Sequence, residues 1–91
     1  MKVQEATYKG AYDVYVLFED GVAGTIHLND LVEAGIFLPL KDTNLFAKVY
    51  TTGYSIAWSD QLEIDAATIY AELSGKTPAE AFSSSLMYAT N

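Results

Sequence analysis

The chain has 91 residues with no Cys, one His and 12 acidic against 5 basic side chains, giving a formal net charge of −7 at pH 7. This charge repels phosphate backbones, so we expect no direct contact with nucleic acid. The lack of Cys excludes disulfides, thiolate nucleophiles and Cys-ligated zinc, and it favours the cytoplasm. With 51% hydrophobic residues, the chain has enough core-forming side chains for one folded domain.

The sequence shows no signal for export or membrane insertion. Glu5 stands where a secretory signal is apolar, and no apolar run approaches the roughly 20 residues that span a bilayer. We therefore expect a cytoplasmic protein without membrane contact.

Three strands are predicted in the first third of the chain, over residues 3–8, 13–18 and 22–28. The last two flank Asp20-Gly21, a pair that accepts positive φ at both centres of a hairpin turn. Residues 14–18 are apolar on both faces, which is typical of a central strand covered on both sides or of one that presents a face to another chain. In the third strand, Ile26 and Leu28 share one face while Thr25 and His27 share the other.

Short helices are predicted in the middle of the chain. Asn29-Asp30 is expected to cap a turn over residues 31–34 that ends at Gly35 in the left-handed conformation. Because Leu38 precedes proline, residues 36–40 are expected to be irregular chain that lays three side chains across the core, namely Phe37, Leu38 and Leu40. Asp42 or Thr43 is expected to cap a second helix whose apolar side faces the sheet with Leu45, Phe46 and Val49.

The second half of the chain predicts two strands and two helices. Tyr54, Ile56 and Trp58 alternate as a fourth strand, and Leu62 with Ile64 indicates a fifth. Asp65 is the predicted N-cap of a helix that runs to Leu73. Thr77-Pro78-Ala79-Glu80 combines a capping box with proline at the first helical position, and it predicts a last helix with Phe82 and Leu86 on one side.

These elements predict an α+β fold, in which a small antiparallel sheet of about five strands carries short helices and an added C-terminal helix. Residues 1–75 form the main unit, and residues 76–91 are a helical extension of the same single domain.

Two segments resemble catalytic or nucleotide-binding motifs, but their contexts differ. Residues 53–57 resemble a nucleophile elbow, yet Ser55 begins a strand and His27 lies upstream, so we expect Ser55 to face water. Residues 75–77 resemble the end of a phosphate-binding loop, yet Tyr70 stands where that loop needs its first glycine, which makes them a linker between helices.

The candidate metal ligands are also incomplete. His27 and Asp30 supply two ligands where a catalytic zinc needs three, so an exposed or hydrogen-bonded imidazole is expected. The acidic residues Asp60, Glu63 and Asp65 lack the ligand spacing of a calcium loop. The sequence therefore predicts no catalytic residue, cofactor or metal.

Aromatic side chains are dense, with seven tyrosines and one tryptophan. A tyrosine buries its ring while its hydroxyl stays hydrated, which suits an interface. We predict an interaction surface drawn from the residues Tyr15, Leu17, Tyr54, Trp58, Phe82 and Leu86.

The order and spacing of several segments resemble the bacterial and phage family known as domain of unknown function 2442. The resemblance covers roughly residues 2–73 and rests on residues 18–21, on residues 28–42 with Phe46 and Val49, and on residues 56–58 followed by 62–70. The family pattern differs at four places, having Asp at His27, Pro at Ser59, Gly at Gln61 and Pro-Asp at Ala66-Ala67.

The resemblance implies a small α+β domain with an antiparallel sheet and brings no established activity. Relatives stand alone or are joined to a helix-turn-helix domain, and some lie beside genes of toxin–antitoxin type, which favours a regulatory or partner-binding role.

Three functional hypotheses follow. The first is a non-enzymatic, self-associating interaction module that binds a protein partner through the face of Tyr15 and Leu17 or through the C-terminal helix. The second is a small-molecule-binding domain or minor enzyme with a pocket between the sheet and residues 37–46. The third is an acidic mimic of nucleic acid, whose binding would weaken with added salt.

Overall fold

The computed structural model describes residues 2–74 and shows an α+β fold with two antiparallel three-stranded sheets. The first sheet contains β1 (Val3–Gly10), β2 (Asp13–Phe18) and β3 (Ala23–His27), and the second contains β4 (Tyr50–Thr51), β5 (Ser55–Ser59) and β6 (Leu62–Asp65). Two 3₁₀ helices, Leu31–Glu33 and Gly35–Lys41, and the helix α1 (Thr43–Phe46) connect the sheets, and α2 (Ala66–Leu73) follows β6.

The α+β class is confirmed, and the structure adds detail to the predicted sheet. In each sheet the strands are adjacent in chain order, so both sheets are meanders. Five strands were predicted and six are present within residues 2–74. The strand that was not predicted is β4, which has only two residues and therefore shows no alternation in the sequence. The predicted helix with Phe82 and Leu86 lies outside the described residues.

The turn between β2 and β3 has three residues rather than two. Phe18 N–H donates to Val22 O at 2.8 Å, and Gly21 N–H donates to Phe18 O at 3.0 Å. Gly21 has φ +95°, whereas Asp20 stays at negative φ and its carboxylate accepts from Val22 N–H at 3.0 Å. The expectation of positive φ at both positions was therefore wrong, because the loop is a type I turn followed by a glycine bulge.

The core collects the inner faces of both sheets. Val14, Val16 and Phe18 of β2 are buried, as are Ile26 of β3 and Leu28 directly after it. From the second half of the chain, buried side chains include Ile56, Ile64 and Ile69. The predicted core-facing side of the third strand is therefore confirmed.

The segment Gly35–Lys41 is a regular 3₁₀ helix, not the irregular chain that was expected. Side chains three residues apart align in a 3₁₀ helix, so Phe37 and Leu40 both point into the core. Leu38 falls between them and is 49% exposed. The prediction that Leu38 crosses the core was therefore wrong.

The helix α1 begins at its predicted cap but is shorter than expected. The Asp42 carboxylate accepts from Asn44 N–H at 2.9 Å, which stabilises the first turn. Phe46 is fully buried, while Leu45 is 42% exposed and Val49 lies beyond the helix. Leu45 therefore does not face the sheet as predicted.

The other predicted caps are correct in position but not in hydrogen bonding. Asp30 precedes the 3₁₀ helix Leu31–Glu33 without a side-chain cap bond, and Gly35 has φ +72° after it. Asp65 is the N-cap residue of α2, but its carboxylate accepts from the Thr68 hydroxyl at 2.5 Å instead of from a backbone N–H.

Phe46 is surrounded by aromatic rings from both halves of the fold. Its ring centroid lies 5.9 Å from that of Tyr8, 5.3 Å from that of Tyr12 and 5.4 Å from that of Trp58. Trp58 Nε1–H also donates to Phe46 O at 2.9 Å. The end of α1 is therefore fixed against the first sheet and against β5 at once.

Within residues 2–74, no helix combines the length and the apolar character needed to cross a bilayer.

We predict that Phe46→Ala lowers the free energy of unfolding by about 3–5 kcal/mol, because it leaves a cavity among three aromatic rings. The neighbouring Leu45→Ala is the matched control and should cost about 1 kcal/mol, since 42% of this residue is already exposed in the folded state. Urea denaturation followed by circular dichroism measures both. Equal losses would contradict the burial of Phe46, and Phe46→Leu replaces Phe46→Ala if the latter does not fold.

Candidate functional site

The outer face of the first sheet brings the predicted residues Tyr15 and Leu17 together. The strand register places Thr7, Tyr15 and Thr25 in one cross-strand row. The neighbouring row contains Glu5, Leu17 and Ala23. Because side chains alternate along a strand, all six lie on the side opposite the buried face of β2. We call these six residues the outer face.

Tyr15 and Leu17 form the apolar centre of the outer face. Both are half-buried between the flanking strands, and neither belongs to the hydrophobic side chains that pack against the core. Small, polar or charged side chains surround them, and those on β1 and β3 are exposed. An apolar centre with a polar rim is the usual arrangement of a protein-binding surface.

One end of this side of the sheet carries a hydrogen-bonded imidazole. His27 Nδ1 lies 2.7 Å from Asp13 Oδ1, and these residues are directly opposed on β2 and β3. The His27 side chain is exposed. The expected exposed or hydrogen-bonded histidine is confirmed.

The other predicted surface residues lie in different places. Tyr54 precedes β5 and is 66% exposed, with Lys2 Nζ 5.5 Å from its ring centroid. Trp58 packs against the core, with its ring beside Phe37 and Phe46. Phe82 and Leu86 lie outside the described residues. The structure therefore brings together only the β2 pair of the predicted set.

Sequence reasoning missed an exposed apolar group around the second 3₁₀ helix. Ile36 is 54% exposed, and Leu38 and Leu45 are also exposed to nearly half of their area. The available signal was the three-residue spacing of Phe37 and Leu40, which assigns Ile36 and Leu38 to the outside once the segment is recognised as 3₁₀.

Ser55 is buried and its hydroxyl is hydrogen-bonded within the fold. It begins β5, but it is only 2% exposed, and its Oγ lies 2.7 Å from Thr52 Oγ1. The expectation that Ser55 faces water was therefore wrong, because the start of β5 is covered on both sides. Gly53 makes the preceding bend at φ +97°.

The described residues contain no group of three or more His, Asp or Glu side chains arranged to hold a metal ion. His27 pairs with Asp13, and Asp65 pairs with Thr68. The geometry within residues 2–74 thus assigns hydrogen-bonding partners to two of the candidate ligands.

An open pocket of about 400 Å³ lies at the hairpin turn, lined by Lys2, Phe18, Glu19, Asp20 and Tyr70. The predicted pocket lies elsewhere, between the sheet and residues 37–46, where the side chains of Phe37, Leu40 and Phe46 are buried in the core. At the observed pocket, the ring centroids of Phe18 and Tyr70 are 5.0 Å apart in an edge-to-face arrangement.

Tyr70 and Asp20 form the polar contact of this pocket. The Tyr70 hydroxyl donates to Asp20 Oδ2 at 2.5 Å. This hydrogen bond, with help from the Val22 N–H, holds the pKa of Asp20 below its usual value. The same bond raises the pKa of Tyr70, because it favours the protonated hydroxyl beside the carboxylate.

The model of a family described as "Protein of unknown function (DUF2442)" matches residues 3–75. This range includes both sheets and α2. No curated protein and no solved structure matches the chain.

We predict that Tyr70→Phe returns the pKa of Asp20 toward the ordinary value of about 3.9, because the ring remains while the hydroxyl donor is lost. An NMR titration of the Asp20 side-chain carboxyl carbon measures this, and Tyr54→Phe is the control that leaves it unchanged.

The same variant tests the sign of the pH dependence. A lowered pKa in the folded state contributes stability above the unfolded pKa, and that contribution is lost as the pH falls through the folded pKa. Tyr70→Phe should therefore be less stable than the natural protein near neutral pH and converge with it in acid. An unchanged Asp20 titration would contradict the hydrogen bond.

Proposed function

The chain belongs to the DUF2442 family of proteins of unknown function, and we propose that it is a non-enzymatic protein-interaction module that binds a protein partner through the outer face. The observation that carries this proposal is the position of Tyr15 and Leu17, which point away from the core at the centre of the sheet.

The composition of the outer face supports protein binding. Leu17 supplies apolar area, and Tyr15 adds a ring with a hydroxyl that hydrogen-bonds at a hydrated rim. Thr7 and Thr25 flank the tyrosine on the neighbouring strands. Because threonine is small and uncharged, the surface along this row has little relief and carries no formal charge. A flat partner surface of similar size fits this arrangement better than a small ligand does.

The environments of the candidate reactive groups support a non-enzymatic role. Ser55 is buried with its hydroxyl bonded to Thr52, and His27 is paired with Asp13 on the opposite side of the first sheet from the core. The hydroxyl and the imidazole therefore occupy separate hydrogen-bond networks, whereas nucleophilic catalysis requires them within hydrogen-bond reach.

The charge of the chain suggests the kind of partner. A net charge of −7 steers association toward a basic protein surface. The family resemblance adds a regulatory setting, with a toxin or a transcription regulator as the partner class. A cytoplasmic location is consistent with the absence of Cys.

The test is a paired substitution on the outer face. Tagged protein is used to isolate partners from source cells, native mass spectrometry identifies them, and calorimetry measures binding of each purified partner. Tyr15→Thr with Leu17→Thr should weaken binding by at least about tenfold, since central aromatic and aliphatic contacts dominate interface energies. Threonine keeps the strand propensity, so the fold should remain.

The matched control replaces Ile36 and Leu38 by Thr, because these side chains are also apolar and two residues apart and are exposed to solvent. Equal loss of binding in both variants, or no loss in the first, would overturn the assignment to the outer face.

A second candidate function is small-molecule binding at the pocket of Lys2 and Tyr70. Its volume of about 400 Å³ falls within the range of ligand pockets. A thermal-shift screen of metabolites and divalent metals tests it, because a ligand at 100 times its dissociation constant adds about 2.7 kcal/mol of stability. The shift of a true ligand should fall in Tyr70→Ala and persist in Tyr15→Thr, and a screen without shifts would reject this candidate.

A further inference from the structure

The backbone of β3 has a free hydrogen-bonding edge. Phe18 N–H donates to Val22 O, and Leu28 N–H donates to Tyr12 O at 2.9 Å. Along an antiparallel strand, residues whose backbone groups point toward the neighbouring strand alternate with residues whose groups point away from it. The two bonds therefore show which residues of β3 point toward β2. The N–H and C=O groups of Ala23, Thr25 and His27 therefore point away from β2.

Within residues 2–74, these outward groups have no backbone or side-chain hydrogen-bond partner. All three residues are exposed. The helix α2 approaches β3 from the core side, where Leu73 Cδ2 lies 2.8 Å from the position that a Cβ on Gly24 would take. The described part of the chain thus covers the inner side of β3 and leaves its edge open.

The edge of β3 lacks the usual protection against strand pairing. Its sequence, Ala-Gly-Thr-Ile-His, has no Lys, no Pro and no bulge in its register with β2. By contrast, β1 carries Lys9 and register shifts near both ends, and β6 carries Glu63 and Asp65. Natural proteins use such charges and bulges to prevent edge pairing, so the unprotected strand is the one expected to have a partner.

We propose that β3 pairs antiparallel with β3 of a second copy of this chain, about a two-fold axis at Thr25, so that the two first sheets join into one of six strands. This pairing goes beyond the binding proposed above, because it uses backbone groups at the sheet edge and not the apolar centre of the outer face, Tyr15 and Leu17.

The strand is self-complementary about Thr25. With Thr25 opposite its copy, Ala23 lies opposite His27 of the second copy and His27 lies opposite its Ala23. Three residue pairs that exchange two bonds each give six hydrogen bonds, so every outward group of β3 gains a partner. Two β-branched Thr side chains meet at the centre, a pair that suits a pleated sheet.

The charges also allow this register. No carboxylate belongs to β3 itself, since Asp13 lies one strand away and Glu5 two strands away, and the nearby Glu72 of α2 lies close to His27 of the same chain. The net charge of −7 on each copy still opposes association at long range. Added salt should therefore strengthen the dimer, whereas binding of a basic partner should weaken with salt.

Charge exchange at Thr25 tests both the pairing and its register. Sedimentation over a concentration series should show a mass that rises from 9.9 kDa toward twice that value. Thr25→Lys alone and Thr25→Glu alone should each weaken the dimer by at least about tenfold, because like charges oppose across the axis. An equimolar mixture of the two variants should restore it as a heterodimer.

The matched control is Thr7→Lys and Thr7→Glu, since Thr7 occupies the same row on β1, and these variants should leave the dissociation constant unchanged. A monomer at all concentrations would overturn the proposal, as would a dimer that the Thr25 variants do not weaken or a mixture that does not recover.

Amide hydrogen exchange gives an independent readout. The Thr25 amide should be protected in the natural protein at high concentration and exchange rapidly on dilution. Protection that persists in the monomer would overturn the proposal, because another part of the same chain would then cover the edge. These measurements use purified protein without a partner. A negative result would therefore overturn the β3 pairing only, and partner binding by the outer face would still be tested by the Tyr15 and Leu17 variants.

Discussion

The packing of aromatic rings around Phe46 is the interaction on which the rest of the fold depends. The two sheets share no strand, and the backbone joins them directly through the bond from Val3 N–H to Gly53 O. Phe46 contacts Tyr8 and Tyr12 on one side and Trp58 on the other. Because these contacts come from both halves of the chain, burial of one side chain couples the sheets, and the short helices around it need little stability of their own.

This arrangement gives the two faces of one strand, β2, different environments. The inward side chains of β2, Val14, Val16 and Phe18, are buried in the core. Its outward side chains, Tyr15 and Leu17, are half-buried and do not belong to the core. Substitutions at Tyr15 and Leu17 therefore act on a surface, whereas substitutions at Val14 or Val16 act on the core. The sequence shows that both faces of β2 are apolar. The structure shows that the face of Val14 and Val16 is covered by the core, whereas the face of Tyr15 and Leu17 is not.

The longer strands could be predicted from sequence because the alternation of apolar side chains is detectable over five or more residues, as in β2. The two residues of β4 cannot show alternation, so β4 was missed, and the single turn of α1 is too short to fix where a helical period ends, so α1 was predicted too long. Leu38 was misplaced because a residue before proline favours extended chain, whereas this segment folds as a 3₁₀ helix in which Phe37 and Leu40 align toward the core and Leu38 lies outside. Ser55 was misplaced since alternation assumes one wet face, whereas β5 is the central strand of its sheet and is covered on both sides near its start.

The outer face and the edge of β3 are directed at right angles to each other, one along the normal of the sheet and one within its plane. The two surfaces share Ala23 and Thr25, but Tyr15 and Leu17 lie one strand away from the edge and would stay accessible in a dimer. A dimer joined at β3 would present two copies of Tyr15 in one continuous row, separated by the paired threonines. Because the two faces would then be held at a fixed spacing, a partner with two equivalent sites would bind the second face at a high effective concentration. Edge pairing would thereby convert two shallow faces into one bivalent surface without any new side-chain contact to the partner.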